Sequence, residues 1–208
     1  MRATRRIAVA TAAVTLTGVA LVGCSTGSTE ASAPTVVQYF ADYPAYGTQA
    51  ELVGAADVVV RGTVVSSRVE TQYPEVSTST DPQSNPQAGL DAAAAAQVAP
   101  VVVTVSTVSV EEVLKGSVAV GDLVEVSQLG GKVGRVTYVA EGTVPLKSGP
   151  TDYVLLLADH GTGVPLDLVN PEQAMYTVSP SAGLQPVTSD PGLAVASSLD
   201  EIEQLATK

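Results

Sequence analysis

The chain of 208 residues has no Trp, one Phe (Phe40), one His (His160), one Cys (Cys24) and two Ile. Each shortage removes a class of protein. A single cysteine forms no intramolecular disulfide, so the domain is held by its core alone. One His and one Cys are too few for a zinc site of the usual ligand set. Cations are scarce as well: 10 Lys plus Arg face 21 Asp plus Glu, for a formal charge of −11. Nucleic acid and anionic lipid are held by clustered Lys and Arg, so neither a nucleic-acid partner nor electrostatic adhesion to a membrane is expected. No Gly-x-Ser-x-Gly elbow supports a serine nucleophile, the one such spacing, Gly23-Cys24-Ser25-Thr26-Gly27, falling at the end of the N-terminal apolar run; nor is there an Asp-rich calcium loop or a Gly-rich phosphate loop leading into a helix. No cofactor and no metal are expected. What the chain does hold is a hydrophobic fraction of 45%, enough to build the core of one domain.

The first residues carry an address. Arg2, Arg5 and Arg6 precede an apolar run from Ile7 to Val22. Its 16 residues fall short of the roughly 20 that a membrane-crossing helix needs. A basic head before a short apolar run is the layout of an export signal. A buried core helix would need a polar stripe, which Thr11, Thr15 and Thr17 do not form.

The run ends in Leu21-Val22-Gly23-Cys24, which resembles the lipobox of bacterial lipoproteins: an aliphatic residue and small residues, then cysteine. The resemblance covers residues 1–24. It implies that the Cys24 thiol receives a diacylglyceryl group and that the signal is cut between Gly23 and Cys24. The expected location is then the cell membrane, lipid-anchored at its extracytoplasmic face. One acyl chain binds a bilayer only marginally, whereas two or more hold stably. Loss of the signal removes three Arg and no acid, leaving 7 basic and 21 acidic side chains, or −14.

Three segments follow: residues 1–23 as the signal peptide, 24–45 as the lipidated cysteine and flexible tether, and 46–208 as the folded domain. Ser25 to Pro34 is small, polar and without period, too poor in apolar surface to order itself. About ten such residues reach on the order of 15–20 Å.

Beyond the tether, strands dominate. The 36 Val favour pleated structure over helix. Val58–Val65 and Val101–Val113 are the strongest runs, joined by Leu123–Ser127, Val133–Ala140, Tyr153–Ala158, Met175–Val178 and Leu184–Val187. Val154 to Leu157 lacks alternation, as a strand covered on both faces does. In the Val101 run the apolar parity switches between Val105 and Val108. A one-residue bulge at Ser106-Thr107 explains that switch, and so does burial on both faces. A short helix is expected over Gln49–Ala56, and another after Ser198, where Ser198-x-x-Glu201 forms a capping box. Residues 71–100 are a long insertion rich in Pro, Ser, Thr and Gln, with five alanines after Asp91, read as disorder, a lid or a partner arm.

The expected fold is therefore mainly β: a small closed or partly open β-barrel with one or two short helices, after an N-terminal signal helix. Ala56–Val64, Glu112–Gly116, Gly121–Val126 and Gly130-Gly131 together resemble small secreted bacterial β domains similar to oligonucleotide/oligosaccharide-binding (OB) or netrin-like barrels. The chain departs from the metalloproteinase-inhibitor pattern of that group, which has a free N-terminal chelating cysteine and disulfides. Inhibition by chelation is not carried over.

Two clusters are candidates for chemistry. His160 follows the apolar strand beside Asp159, and with Ser148 and Asp152 it brackets that strand, the basis for an envelope hydrolase. A loop histidine is the plainer reading. Tyr39, Phe40, Tyr43 and Tyr46 form the only aromatic cluster, either a binding patch or a staple for the incoming chain. The expected function is a non-catalytic binding or interaction domain for an envelope protein or small ligand, held to the membrane through lipid on Cys24; the alternatives are a hydrolase using His160 and a structural spacer.

Overall fold

Valine, branched at Cβ and stiff at χ1, packs well on a pleated surface, and the chain uses it to build one large sheet. The computed structural model describes residues 34–73, 80–81, 83, 85, 88–95, 99–180, 183–188, 196 and 198–207. Residues 1–23, expected to be a signal peptide, and Cys24 lie outside them. The strands are β1 (Thr35–Tyr39), β2 (Val58–Gln72), β3 (Val101–Lys115), β4 (Leu123–Val133), β5 (Val136–Ala140), β6 (Asp152–Ala158), β7 (Leu166–Leu168), β8 (Met175–Ser179) and β9 (Gly183–Pro186). The helices are α1 (Gln49–Ala55), the single turn α2 (Ala92–Ala95) and α3 (Leu199–Ala206).

The sheet runs β1-β5-β4-β3-β2-β6-β8-β9. The short β7 lies off this path and pairs twice, parallel to β4 through Val126↔Leu166 and antiparallel to β6 through Leu157↔Leu168. The paired path β4-β3-β2-β6-β7 therefore returns to β4. β6 is the most deeply covered strand, with Tyr153 to Leu157 all buried, as its missing alternation predicts.

β2 and β3 are 15 residues each and pair along most of their length, with three shifts of register. One shift leaves Glu111 of β3 unpaired opposite Gly62. A Cβ on Gly62 would stand 2.1 Å from the Ser109 carbonyl oxygen, so only glycine lets the two backbones pass there. The parity switch in β3 has the second of its two explanations. The β3–β4 register is unbroken from Val103↔Leu129 to Ser109↔Leu123, and both Val105 and Ser106 are fully buried. The extra residue at this level belongs to the partner strand: Val65 of β2, 54% exposed, between Val64↔Val108 and Ser66↔Thr107.

The helices close the core beside β6. α1 carries a full capping box: Glu51 N–H donates to Thr48 Oγ1 at 3.2 Å, and Thr48 N–H to Glu51 Oε2 at 3.1 Å. Its far end is met by Lys115 of β3, whose Nζ donates to the Val53 carbonyl at 2.9 Å. Leu52 and Val53 then face the sheet, and α3 lays Ile202 into the same cluster. Ser198 caps α3 by accepting from Glu201 N–H at 3.3 Å.

The domain begins earlier than the expected boundary at residue 46. The compact unit starts at Pro34, and Thr35–Tyr39 is a strand paired in parallel with β5. The reason is compositional: the small polar stretch ends at Pro34, and Thr-Val-Val-Gln-Tyr is β-forming. The expected insertion also begins inside β2, which runs on to Gln72. Farther on, Asp91 Oδ1 accepts from Ala94 N–H at 2.8 Å and so starts α2.

Candidate functional site

The segment from Phe40 to Tyr46 hangs between two anchorages. At its start, the Tyr39 ring stacks on Tyr138 of β5 with centroids 5.6 Å apart, and its hydroxyl accepts from Val102 N–H at 3.1 Å. At its end, buried Gln173 accepts from Tyr46 N–H at 3.0 Å, and Asn170 Nδ2 donates to the Pro44 carbonyl at 2.9 Å. Asn170 Oδ1 in turn accepts from Glu172 N–H and Gln173 N–H, at 2.7 and 3.0 Å, which folds the loop before β8.

Between this segment and the sheet lie two adjoining cavities that share Tyr43 and Pro171. One, of about 250 Å³, is lined by Gln72, Val101, Val103, Ser127, Gln128, Leu129, Thr143, Asp167 and Leu168 besides the shared pair. The other, of about 320 Å³, is lined by Phe40, Ala41, Asp42, Ala45, Glu141, Asn170 and Glu172 besides that pair. A third, mainly apolar cavity of about 340 Å³ adjoins across Gln128, Leu129 and Thr143, under the Gly130–Gly131 bend and Tyr138. Gln128 is fully engaged, donating to the Val144 carbonyl at 2.9 Å and accepting from Leu146 N–H at 2.8 Å. The buried Thr143 Oγ1 has no hydrogen-bond partner among the described residues.

The four expected aromatics part company here. Tyr39 and Tyr46 anchor the segment, Tyr46 packing against the core, while Phe40 (76% exposed) and Tyr43 line the cavities. Burial, and secondarily the charge of Asp167, raises the Tyr43 hydroxyl above its ordinary pKa. Asp167 itself is raised by burial, against the opposing pull of His160 and a hydrogen bond from Ser127.

His160 does not pair with its neighbour in sequence. Its Nε2 lies 3.1 Å from Asp167 Oδ2, with the two side chains 50% and 48% exposed. Asp159 instead shapes its own loop, accepting from Gly161 N–H at 2.8 Å. Asp152 is taken by Arg61, whose Nη2 and Nε lie 2.7 and 2.9 Å from Asp152 Oδ2. In the Ser127–Asp167–His160 chain the carboxylate stands in the middle. A nucleophile needs the imidazole between hydroxyl and carboxylate, so this order does not activate Ser127.

No group of three or more His, Cys, Asp or Glu among the described residues is placed to hold a metal ion. Among them, too, no helix is long and apolar enough to cross a membrane. Asp167, Glu141, Glu172 and Gln72 were missed as cavity residues by sequence reasoning: Asp167 and Glu172 lie close together in what reads as a solvated loop, and Glu141 and Gln72 arrive from elsewhere in the chain. The molecule is thus a mainly β domain with an aromatic-edged cleft beside its entering strand. No protein-family model matches the chain, and no curated protein matches it.

Proposed function

We propose that the chain is an exported, lipid-anchored protein whose β domain binds a small ligand or an envelope partner and catalyses no reaction. The cleft around Tyr43 carries this reading. It is concave, two of the four clustered aromatics edge it, and its floor comes from four strands of the sheet, β2, β3, β4 and β7. A buried hydroxyl without a partner, Thr143 Oγ1, in its wall supports a ligand more than a scaffold. The middle position of Asp167 argues against the hydrolase alternative.

The anchor rests on the Leu21-Val22-Gly23-Cys24 lipobox. We further read the β4-β3-β2-β6-β7 path as an OB-like barrel; its return to β4 through the parallel β4–β7 pair supports this. Under this reading the lipid on Cys24 holds an acidic domain near a surface that would otherwise repel it.

Mass spectrometry of the mature N-terminus is expected to find a lipid-modified Cys24; an unmodified terminus elsewhere overturns the anchor. For the domain, nuclear magnetic resonance of the full processed chain in detergent, against a fragment library of mixed charge, is expected to shift residues around Tyr43. Shifts confined to other surfaces overturn the binding cleft. Ester, amide or phosphate hydrolysis that disappears in His160→Ala overturns the non-catalytic reading.

A further inference from the structure

The two cavities that meet at Tyr43 have a one-sided lining. It contains four carboxylates, Asp42, Glu141, Asp167 and Glu172, two exposed aromatic rings, Phe40 and Tyr43, and neither Lys nor Arg. Asp167 is met by His160, whereas Asp42, Glu141 and Glu172 enter no ion pair among the described residues. In a protein with two acidic side chains for each basic one, such a lining repels anions and draws cations.

The kind of cation follows from the spacing. A bare metal ion needs several ligands converging on one point, and no described group of three acids does so. Asp42, Glu141 and Glu172 instead line a space of about 320 Å³ together with Phe40 and Tyr43. That distribution suits a diffuse charge with apolar skin, because ring faces attract ammonium groups whose hydration is weak. The Glu172 carboxylate lies over Gly142. Gly142 has φ +73°, a backbone conformation that disfavours a side chain there.

We infer that the Phe40–Tyr43 cavity takes a small organic cation, its ammonium or methylated ammonium head against the two rings and facing Glu141 and Glu172. The apolar remainder extends past Tyr43 toward Val101 and Leu168 in the adjoining cavity. This inference rests on the reading of the cleft as a ligand site and adds the ligand's charge and class. A free amine and a lysine side chain of a partner offer the same head group.

The test uses the full processed chain in detergent at low salt, titrated with choline, its neutral isostere 3,3-dimethyl-1-butanol, Nα-acetyl-lysine methylamide and magnesium ion alone. Calorimetry gives affinity, and magnetic resonance gives location. Saturable binding of choline or the lysine amide at the cleft is expected, with the neutral isostere about tenfold weaker or more. Phe40→Ala, at an exposed position that folding does not need, and Glu172→Gln each weaken it by about three- to thirtyfold. Preference for choline assigns a free amine, and preference for the amide assigns a lysine. Equal binding of the neutral isostere, displacement by equimolar magnesium, or indifference to both substitutions overturns the inference. Neutral or anionic fragments shifting the cleft while both amines leave it unmoved overturns the cation alone and leaves the binding site standing. Silence of the cleft toward every probe overturns both.

Discussion

The β6 region and the cleft at Tyr43 are built on different principles. Around β6, Tyr153 to Leu157 are all buried, α1 and α3 close the cluster, and the partly exposed Arg61 is paired with Asp152 and Glu112. Around Tyr43, rings stand in solvent, three acids have no counter-ion among the described residues, and Thr143 Oγ1 is buried without a partner. The first arrangement rests on close apolar packing, even though Gln49 Nε2 and Asp152 Oδ1 at its edge are also buried without partners among the described residues, whereas the second leaves exposed rings and unpaired acids that a ligand can meet. Stability and recognition are separated within one sheet, and substitutions in the two regions should fail differently.

The largest effect belongs to the β6 side. Leu155→Ala removes a fully buried side chain at the centre of the cluster and should cost about 2–5 kcal/mol. Urea unfolding would show it as a fall in midpoint at constant slope. A loss near zero would mean the β6 core is looser than its burial implies, and the contrast between the two regions would collapse.

Gly62→Ala comes next. The added Cβ meets the Ser109 carbonyl at 2.1 Å, so β2 and β3 must separate at the Glu111 irregularity. The expected cost is about 1–3 kcal/mol, as for overpacking. Thermal unfolding of this variant should show one transition, since the strain falls on strands that share the β6 core.

Tyr39→Phe sharpens the contrast from the other side. It keeps the stack on Tyr138 and removes the hydroxyl that accepts from Val102 N–H. About 1 kcal/mol is expected, and most of it should be local. Hydrogen exchange should quicken in β1 and the Phe40–Tyr46 segment while amides of β6 keep their protection. Uniform acceleration would show that the entering strand is part of the same cooperative unit.

Legibility in the sequence follows the same divide. β6 was readable because unbroken apolar character leaves a local mark, and α3 because Ser198 and Glu201 stand at cap spacing. β1 is hidden at the end of the tether, since five residues after a polar run show too little alternation to separate from it. β7, three residues long, gains its place only by pairing with both β4 and β6. The parity switch in β3 was visible, but the choice between its two explanations was not, because burial of both faces there depends on the neighbouring strands. The aromatics of the cleft were found because they cluster in sequence. Its acids come from the segment after β1, the end of β5, the strand β7 and the loop before β8, and only the topology assembles them.

The smallest effect concerns Asp167, where the two principles meet in one residue. Burial raises its pKa in the folded state above the ordinary carboxylate value, with His160 and Ser127 only partly offsetting. The folded chain therefore holds this proton more tightly than the unfolded chain does. Stability from this group is fully present below the unfolded pKa and is lost as pH rises through the folded one. Asp167→Asn removes that dependence. The variant should match the parent at the acid end of the window and exceed it slightly at neutral pH, because the half-exposed pair with His160 contributes little. Unfolding measured across the acid range would show the two stability curves diverging upward in pH, and divergence in the opposite sense would place the carboxylate in a net stabilising role. A carboxylate retained at a cost to the fold fits a wall that meets a cation, for a bound ammonium favours the ionised form and tightens as pH rises through the same window.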